Sequence, residues 1–283
     1  MKNAIFFFLF TIGSVQAQIE TGLWEPYYKG KTKKSVFFTG KSIEKFTGNS
    51  DEHGTAVGFI LTQNAEKSME IYHAGFTPTT KYLRETGILA MTVEERRKNL
   101  DSEYKYWELF VRETVNWFKK QKVKVVNMSF GNSALIFAEN NQNLGYNDTE
   151  RLKVAQEWMH HFQQAFDNAF KSAPEILFIV AAGNDEMDMQ SSFDVPGLSQ
   201  EPNVLCVGAL SKDGKRKISN YGDAVDVYIP AEDIEWVDAE GKKQYDSGTS
   251  LAVPQITKKA IMLLTKNPKM SIATLKRKLI SKE

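Results

Sequence analysis

A serine, a histidine and an asparagine in this 283-residue chain each lie in a setting that suits acyl-transfer chemistry. Ser250 follows Gly248 and Thr249 and precedes a segment with helical apolar spacing, which predicts a serine at a helix N-terminus. Such a serine exposes its hydroxyl, and its N–H is one of the first-turn donors that lack an intrahelical partner. One residue could then supply both a nucleophile and an oxyanion donor. Taken alone, the pattern favours an ordinary N-cap serine.

Two further short blocks contain a candidate base and a second candidate donor. His53 precedes Gly54 and Thr55 at the start of an apolar segment, and a neutral imidazole can take the proton of a serine hydroxyl. Asn184 follows an Ala-Ala-Gly sequence at the end of the most apolar run, where its side-chain N–H could join the backbone N–H of Ser250. Considered singly, a structural histidine and a turn asparagine are the ordinary interpretations.

Four blocks together give the chain a resemblance to the subtilisin-like serine proteases, from about residue 51 to the C-terminus. They occur in the family's order, as His53-Gly54-Thr55, Asn127-Met128-Ser129-Phe130-Gly131, Ala181-Ala182-Gly183-Asn184 and Gly248-Thr249-Ser250-Leu251-Ala252-Val253-Pro254. The stretch 219–230 is also similar to the family's segment between the last two blocks. The resemblance implies that Ser250 is the nucleophile, His53 the general base and Asn184 the oxyanion donor.

The resemblance also implies a substrate-binding surface. Ser129, Phe130 and Gly131 match the edge segment with which the family pairs an extended substrate, strand to strand. Ala182 and Gly183 match one wall of the pocket for the residue before the scissile bond.

The family's third catalytic group is a carboxylate that fixes the histidine tautomer, normally in an Asp-Thr-Gly or Asp-Ser-Gly block. This chain has Glu20-Thr21-Gly22 at a comparable separation from His53, so Glu20 is the candidate, whereas Asp51 is too near His53 in sequence to orient its ring. Removal of a leader after Ala17 would leave Glu20 close to a fraying terminus. Three explanations stay open: an uncleaved strand over 15–20, a shortened relative, or a different start of the gene.

The serine block departs from the family pattern behind the nucleophile. Val253 and Gln255 replace the usual Ser and His around Pro254, and Thr257 stands where Ala or Gly is common. These positions support the site, so the departures suggest relaxed constraint there.

The elements that must position these residues alternate between strands and helices. Apolar runs predict strands at 36–38, 69–72, 123–128, 176–181, 204–209 and 225–229, and helical spacing predicts helices within 53–62, 102–120, 150–171 and 250–265. Surface segments are expected at 79–100 and 132–149. This alternation predicts an α/β fold of three layers, a mostly parallel central sheet with helices on both faces, and function at the C-terminal ends of the strands.

The first residues are typical of an export signal. Lys2 precedes an apolar segment over 4–12, and Val15-Gln16-Ala17 offers small residues for cleavage. The segment is too short to span a membrane, and a buried strand is the alternative. We therefore expect a signal peptide over 1–17, a peptidase domain over 18–283, and a secreted or periplasmic protein without a membrane span after signal removal.

Composition narrows the classes of partner. The 36 Lys and Arg residues balance 35 Asp and Glu residues, so no basic field favours nucleic acid. Cys206 is the single cysteine, which excludes an intrachain disulfide and, inside an apolar run, predicts a small buried hydrophobe. We expect a monomer that acts on protein or peptide substrates without a cofactor. The family often binds structural calcium, but no carboxylate cluster here predicts a metal site.

The leading hypothesis is an exported serine endopeptidase with a Ser/His/acid triad and an asparagine oxyanion hole. The alternative is a catalytically impaired protein of the same fold that binds peptides or a partner protein. An α/β-hydrolase esterase fits less well, because Ser250 does not lie in a Gly-x-Ser-x-Gly elbow.

Overall fold

The computed structural model describes residues 4–9, 32–38, 43–45, 52–63, 70–75, 93–140, 147–238 and 240–281. The strands in these ranges are β1 Ala4–Leu9, β2 Thr32–Phe38, β3 Ile43–Lys45, β4 Glu70–Gly75, β5 Val125–Met128, β6 Leu177–Ala181, β7 Val204–Leu210, β8 Val227–Pro230, β9 Ile234–Val237 and β10 Lys243–Asp246. The helices are α1 Glu52–Thr62, α2 Val93–Gln121, α3 Ala134–Asn140, α4 Asp148–Lys171, α5 Met189–Ser192, α6 Thr249–Lys266 and α7 Ile272–Ile280.

The central sheet contains eight strands in the order β3-β2-β4-β1-β5-β6-β7-β8. Strands β2 and β3 pair antiparallel, whereas the other neighbours in this sheet pair parallel. Strands β9 and β10 form a separate antiparallel hairpin. The predicted α/β fold with a mostly parallel sheet is confirmed.

Strand β6 shows why helices cover both faces of the sheet. All of its residues are buried. Phe178 and Val180 pack into a cluster with α2 and α4, whereas Leu177 and Ile179 pack into a second cluster with α6 and α7. A continuous apolar run is the pattern of a parallel strand covered on both faces. The three layers follow directly from this alternation.

A third, smaller apolar cluster joins α1 to α6 and to the β9–β10 hairpin. Ala56 and Val57 of α1 contact a group that includes Trp236 of β9 and Leu251 of α6. His53 is the second residue of α1, and Leu251 follows Ser250. This packing therefore sets the two helices that carry the candidate base and nucleophile against each other.

Several local predictions were wrong or incomplete. Helix α2 begins at Val93, so the second half of the expected surface segment 79–100 is helical; its residues are strong helix formers that lack apolar spacing. The expected loop over 132–149 contains the short helix α3. The β9–β10 hairpin and helix α7 were not predicted.

The N-terminal segment contributes a strand to the middle of the sheet. Strand β1 lies between β4 and β5, where Ile5 is opposite both Ile71 and Val125. This arrangement corresponds to the buried-strand alternative, and cleavage after residue 17 would remove it. The signal peptide over 1–17 stays a prediction, and Glu20 lies outside the described residues.

Candidate active site

Ser250 lies in the first turn of α6, one residue beyond the start of the helix. The N-cap is Gly248, which has φ 129° and makes no side-chain cap hydrogen bond. Ser250 is therefore not the capping residue, and the simplest structural explanation for a serine at this position does not apply. Its backbone N–H is among the first-turn donors for which an α-helix has no acceptor.

Pro254 changes the hydrogen bonding of the Ser250 carbonyl. In a regular helix the N–H of residue 254 would donate to the carbonyl of Ser250, but proline has no N–H. The hydroxyl of Ser129 donates to this carbonyl instead, at 2.8 Å. The end of β5 thereby holds the first turn of α6 in place.

Asn127 and Thr257 extend this connection into the core. The Asn127 Nδ2 donates to Ser129 Oγ at 2.9 Å. The Thr257 hydroxyl shares its one proton between Asn127 Oδ1 at 3.1 Å and the carbonyl oxygen of Val253 at 2.9 Å. Asn127, Ser129 and Thr257 are fully buried. The threonine that departs from the family pattern thus satisfies a buried amide oxygen, which a smaller Ala or Gly could not do.

Asn184 is oriented by Thr249, the residue that precedes Ser250. Its Oδ1 accepts hydrogen bonds from both the backbone N and the hydroxyl of Thr249, each at 2.9 Å. A backbone N–H can only donate, so the atom facing it must be the amide oxygen. The Nδ2 therefore points away from Thr249, and it donates to no acceptor within the described part of the chain.

Gly248 allows this close approach of Asn184. A Cβ at Gly248 would lie 2.9 Å from Asn184 Oδ1, and the positive φ of 129° is itself unfavourable for other residues. The glycine of the Gly-Thr-Ser block is thus required both by the backbone conformation and by the asparagine beside it.

His53 is held by packing, and the described residues give its ring no hydrogen bond. Its Nδ1 atom is buried and has no partner there, and the Ser250 hydroxyl donates to the carbonyl of Ser129 at 3.2 Å rather than to His53. Burial lowers the pKa of His53, and the negative charge of Asp246 opposes that effect. The ring is therefore biased toward the neutral form that a general base requires.

The predicted substrate-binding residues divide into buried and accessible ones. Ser129, Phe130 and Ala182 are buried, and the Phe130 ring packs 6.0 Å from the ring of Phe166 between centroids. Gly131 is exposed and Gly183 is half-buried. Only backbone at this edge is available to an extended peptide, as strand-to-strand pairing requires.

Asn220 organises the loop that follows Gly183, and no role was predicted for its side chain. Its backbone N–H donates to Gly183 O at 3.0 Å, and its Oδ1 accepts from the backbone of Asp185 and Met187 at 2.8 and 3.2 Å. Its Nδ2 donates to Asp194 Oδ2 at 2.7 Å. The stretch 219–222 thus fixes the loop that begins with Asn184.

Asp194 is a buried carboxyl that sequence reasoning missed. Burial raises the pKa of Asp194 to about 7, and the charge of Asp185 adds to the rise, although hydrogen bonds from Ser192 and Asn220 oppose it. A Cβ at Gly183, where φ is +93°, would lie 2.8 Å from its Oδ1. No motif marks this position, because the carboxyl acquires its environment only when 183, 194 and 220 meet.

Three further features concern the single cysteine, metal binding and membrane spans. Cys206 is buried, as predicted, and burial raises the pKa of its thiol well above the ordinary range. No group of three or more His, Cys, Asp or Glu side chains that could hold a metal ion occurs among the described residues. Within the same ranges, every helix is too short or too polar to cross a membrane.

Fungal proteases share part of this sequence. Alkaline protease 1 of Aspergillus clavatus is 37% identical over 108 residues, which are 36% of this chain and 26% of that protein. Subtilisin-like protease 6 of Arthroderma benhamiae is 46% identical over 82 residues, which are 29% of this chain and 19% of that protein. The chain thus matches about a quarter of the length of these relatives.

Solved structures share the fold over nearly the whole chain. A cold-adapted subtilisin-like serine proteinase aligns with a TM-score of 0.57 at 19% identity, covering 97% of this chain and 79% of that one. The prenylagaramide maturation protease aligns with a TM-score of 0.56 at 18% identity, covering 98% and 81%. The model of the subtilase family matches residues 24–283. With the fold and the order of the four blocks, this match shows that the chain belongs to the subtilase family.

Proposed function

We propose that this chain is a serine endopeptidase in which Ser250 attacks the peptide carbonyl, His53 acts as base and then acid, and Asn184 binds the oxyanion. Glu20 is proposed to orient His53. Export through the leader over 1–17 and action as a monomer belong to the same proposal. Family membership and the protease relatives support peptide-bond hydrolysis.

The observation that carries the proposal is the orientation of Asn184. Because Thr249 occupies the amide oxygen with two hydrogen bonds, the Nδ2 is left as a fixed donor beside the start of α6. The backbone N–H of Ser250 is a second donor at the same helix end. Two preorganised donors next to a serine hydroxyl are the arrangement that stabilises a tetrahedral oxyanion.

The reaction then follows from the residues present. His53 Nε2 takes the proton from Ser250 as its Oγ bonds to the substrate carbonyl carbon, and negative charge passes to the carbonyl oxygen. The imidazolium gives its proton to the leaving amine as the peptide bond breaks, which leaves an acyl group on Ser250. Water, with its proton taken by His53, releases the acyl group and restores the enzyme.

A fluorophosphonate probe, which reacts with an activated serine, tests this proposal directly. The purified mature protein should be labelled, and Ser250→Ala should not be. Ser129→Ala is the companion variant: it removes the hydrogen bond to the carbonyl of Ser250 but keeps the Ser250 hydroxyl, so labelling should slow without disappearing. Labelling that persists in Ser250→Ala, or no labelling of the wild type, would overturn the proposal, and the latter would favour the peptide-binding alternative.

A further inference from the structure

The β9–β10 hairpin presents one carboxylate on the face that packs against α1. In its register Gln244 is opposite Trp236, and Asp246 is opposite Ile234. Directly opposed residues of an antiparallel pair point to the same face. Trp236 is buried in the cluster with α1 and α6, and Ile234 packs against that cluster. Asp246 therefore belongs to the inner face of the hairpin, at the end that leads into Ser250.

The other charged residues of the two strands, Glu235 and Lys243, lie on the outer face and pair with each other. Lys243 Nζ is 2.9 Å from Glu235 Oε1, and the Tyr245 hydroxyl donates to Glu235 Oε2 at 2.9 Å. Asp246 differs from them. Its Oδ1 accepts the backbone N–H of Ser247 at 2.8 Å, and within the described ranges no cation pairs with it.

The inner face of the hairpin meets the helix that bears His53. Asp246 is the group whose charge raises the pKa of His53 against the effect of burial. Helix α6 also packs on α1, but its Lys258 is engaged with the carbonyl of Gln63 at the far end of α1. Among the described residues, Asp246 is thus the charge that acts on His53, whose buried Nδ1 has no partner there.

We propose that Asp246 is a positioning residue that stabilises the imidazolium of His53 during catalysis. The inference rests on the proposed function. When the proton passes from Ser250 Oγ to His53 Nε2, a positive charge forms on the ring, and the Asp246 carboxylate lowers its energy without bonding to substrate. No bond to Asp246 forms or breaks.

The size of the effect separates this role from that of a triad acid. Asp246 is exposed, so water screens its charge, and exposed pairs typically contribute about 0.2–1 kcal/mol. That range corresponds to a change in rate of up to about five-fold. Loss of a buried triad carboxylate costs on the order of 10⁴.

The test is the pH dependence of fluorophosphonate labelling in the wild type and in Asp246→Asn. Removal of the negative charge lowers the pKa of His53, so the rise of the labelling rate should move to lower pH. The plateau rate should fall by up to about five-fold because the imidazolium loses its stabilisation. Asp246→Glu, which keeps the charge, should restore the wild-type midpoint. Glu235→Gln removes a charge from the outer face of the same hairpin and should leave the midpoint unchanged.

An NMR titration of the His53 ring makes the outcome independent of activity. A lower midpoint in Asp246→Asn than in the wild type supports stabilisation of the imidazolium by Asp246, and labelling of the wild type decides separately on the proposed function. Equal midpoints in the two proteins overturn it, whether or not the wild type is labelled. An equal shift in Glu235→Gln would also overturn it, because the effect would then be one of net charge.

Discussion

The two halves of the candidate site are held by different kinds of interaction. The oxyanion half, formed by Ser250 and Asn184, is fixed by hydrogen bonds from Thr249 and Ser129. The base half, formed by His53, is fixed in the described structure by the apolar packing of α1 against α6 and β9. Hydrogen bonds set the direction of a side chain, whereas apolar packing is non-directional.

The two halves of the site differ in where the residues that orient them come from. The partners of the oxyanion half come from the ends of β5 and β6 and from the start of α6, all within the sheet and its helices. The ring of His53 needs a further group at Nδ1, because a buried polar atom without a partner is costly. The orientation of His53 therefore depends more than that of Asn184 on a residue outside the two helices and strands that pack around it.

The largest expected effect comes from Glu20→Gln, which tests the base half. The substitution keeps the shape and removes the charge, so the labelling rate should fall by as much as about 10⁴ if Glu20 fixes the tautomer of His53. The measurement is the rate of fluorophosphonate labelling at a single pH above the His53 transition.

Asp51→Asn is the control for that prediction, since Asp51 is the other acidic candidate near His53 in sequence. An unchanged rate in Glu20→Gln would remove Glu20 from the mechanism. N-terminal sequencing of the mature protein adds an independent result. A first residue at position 18 would mean that β1 is absent from the mature sheet, whereas a first residue at position 1 would exclude the signal peptide.

Asn184→Ala tests the oxyanion half and should have the next largest effect. Turnover should fall by about 10²–10³ with KM nearly unchanged, because the donor acts on charge that exists only in the transition state; this magnitude is that found for the corresponding loss in a subtilisin. The measurement is kcat and KM on a peptide substrate.

Thr249→Val provides the matched control for Asn184. It removes one of the two hydrogen bonds to the Asn184 oxygen but leaves the backbone N–H that holds the side chain. Turnover in this variant should stay within several-fold of the wild type. An equal loss in both variants would mean that the site fails through misplacement of α6 rather than through loss of the donor.

The sequence predicted best what depends on residues that are adjacent in the chain. The apolar run at 176–181 and the Gly-Thr-Ser block each contain their own pattern, so strand β6 and helix α6 were placed correctly. Asp194 and Asp246 were missed because their environments arise from strand pairing and loop contacts between distant residues. Ser250, His53 and Asn184 were identified as candidates because their sequence blocks resemble those of the family.

Asp194→Asn tests how the buried Asp194 carboxyl, which lies beside Gly183 and Asn220, affects the stability of the fold. The pKa of Asp194 is raised from 3.8 to about 7, so the folded protein binds the proton more tightly than the unfolded chain between these values. Its contribution to stability is therefore lost as the pH rises through about 7, by about 2–3 kcal/mol between pH 5 and pH 8. Urea unfolding at several pH values should show a flatter pH dependence in the variant.

The comparison protein for Asp194→Asn is Asp213→Asn, because hydrogen bonds lower the pKa of the exposed Asp213 carboxyl. Its stability contribution is present at neutral pH and is lost as the pH falls, so this variant should change the pH dependence in the opposite direction and by less. Parallel pH profiles for the wild type and Asp194→Asn would mean that Asp194 is already ionised when folded at pH 5.

Thr257→Val tests the innermost support of the oxyanion half and should have the smallest effect. Valine matches threonine in shape but cannot donate to Asn127 Oδ1, which then stays buried without a partner. The expected cost is about 1–3 kcal/mol in the free energy of unfolding, measured by urea denaturation.

Lys259→Gln, on an exposed position of the same helix, should change stability by less than about 0.5 kcal/mol. Because Asn127 donates to Ser129 and Ser129 donates to the carbonyl of Ser250, a loosened Asn127 should also slow the labelling of Ser250. A stability loss in Thr257→Val with an unchanged labelling rate would mean that the Asn127–Ser129 connection supports the fold of α6 but not the position of the nucleophile.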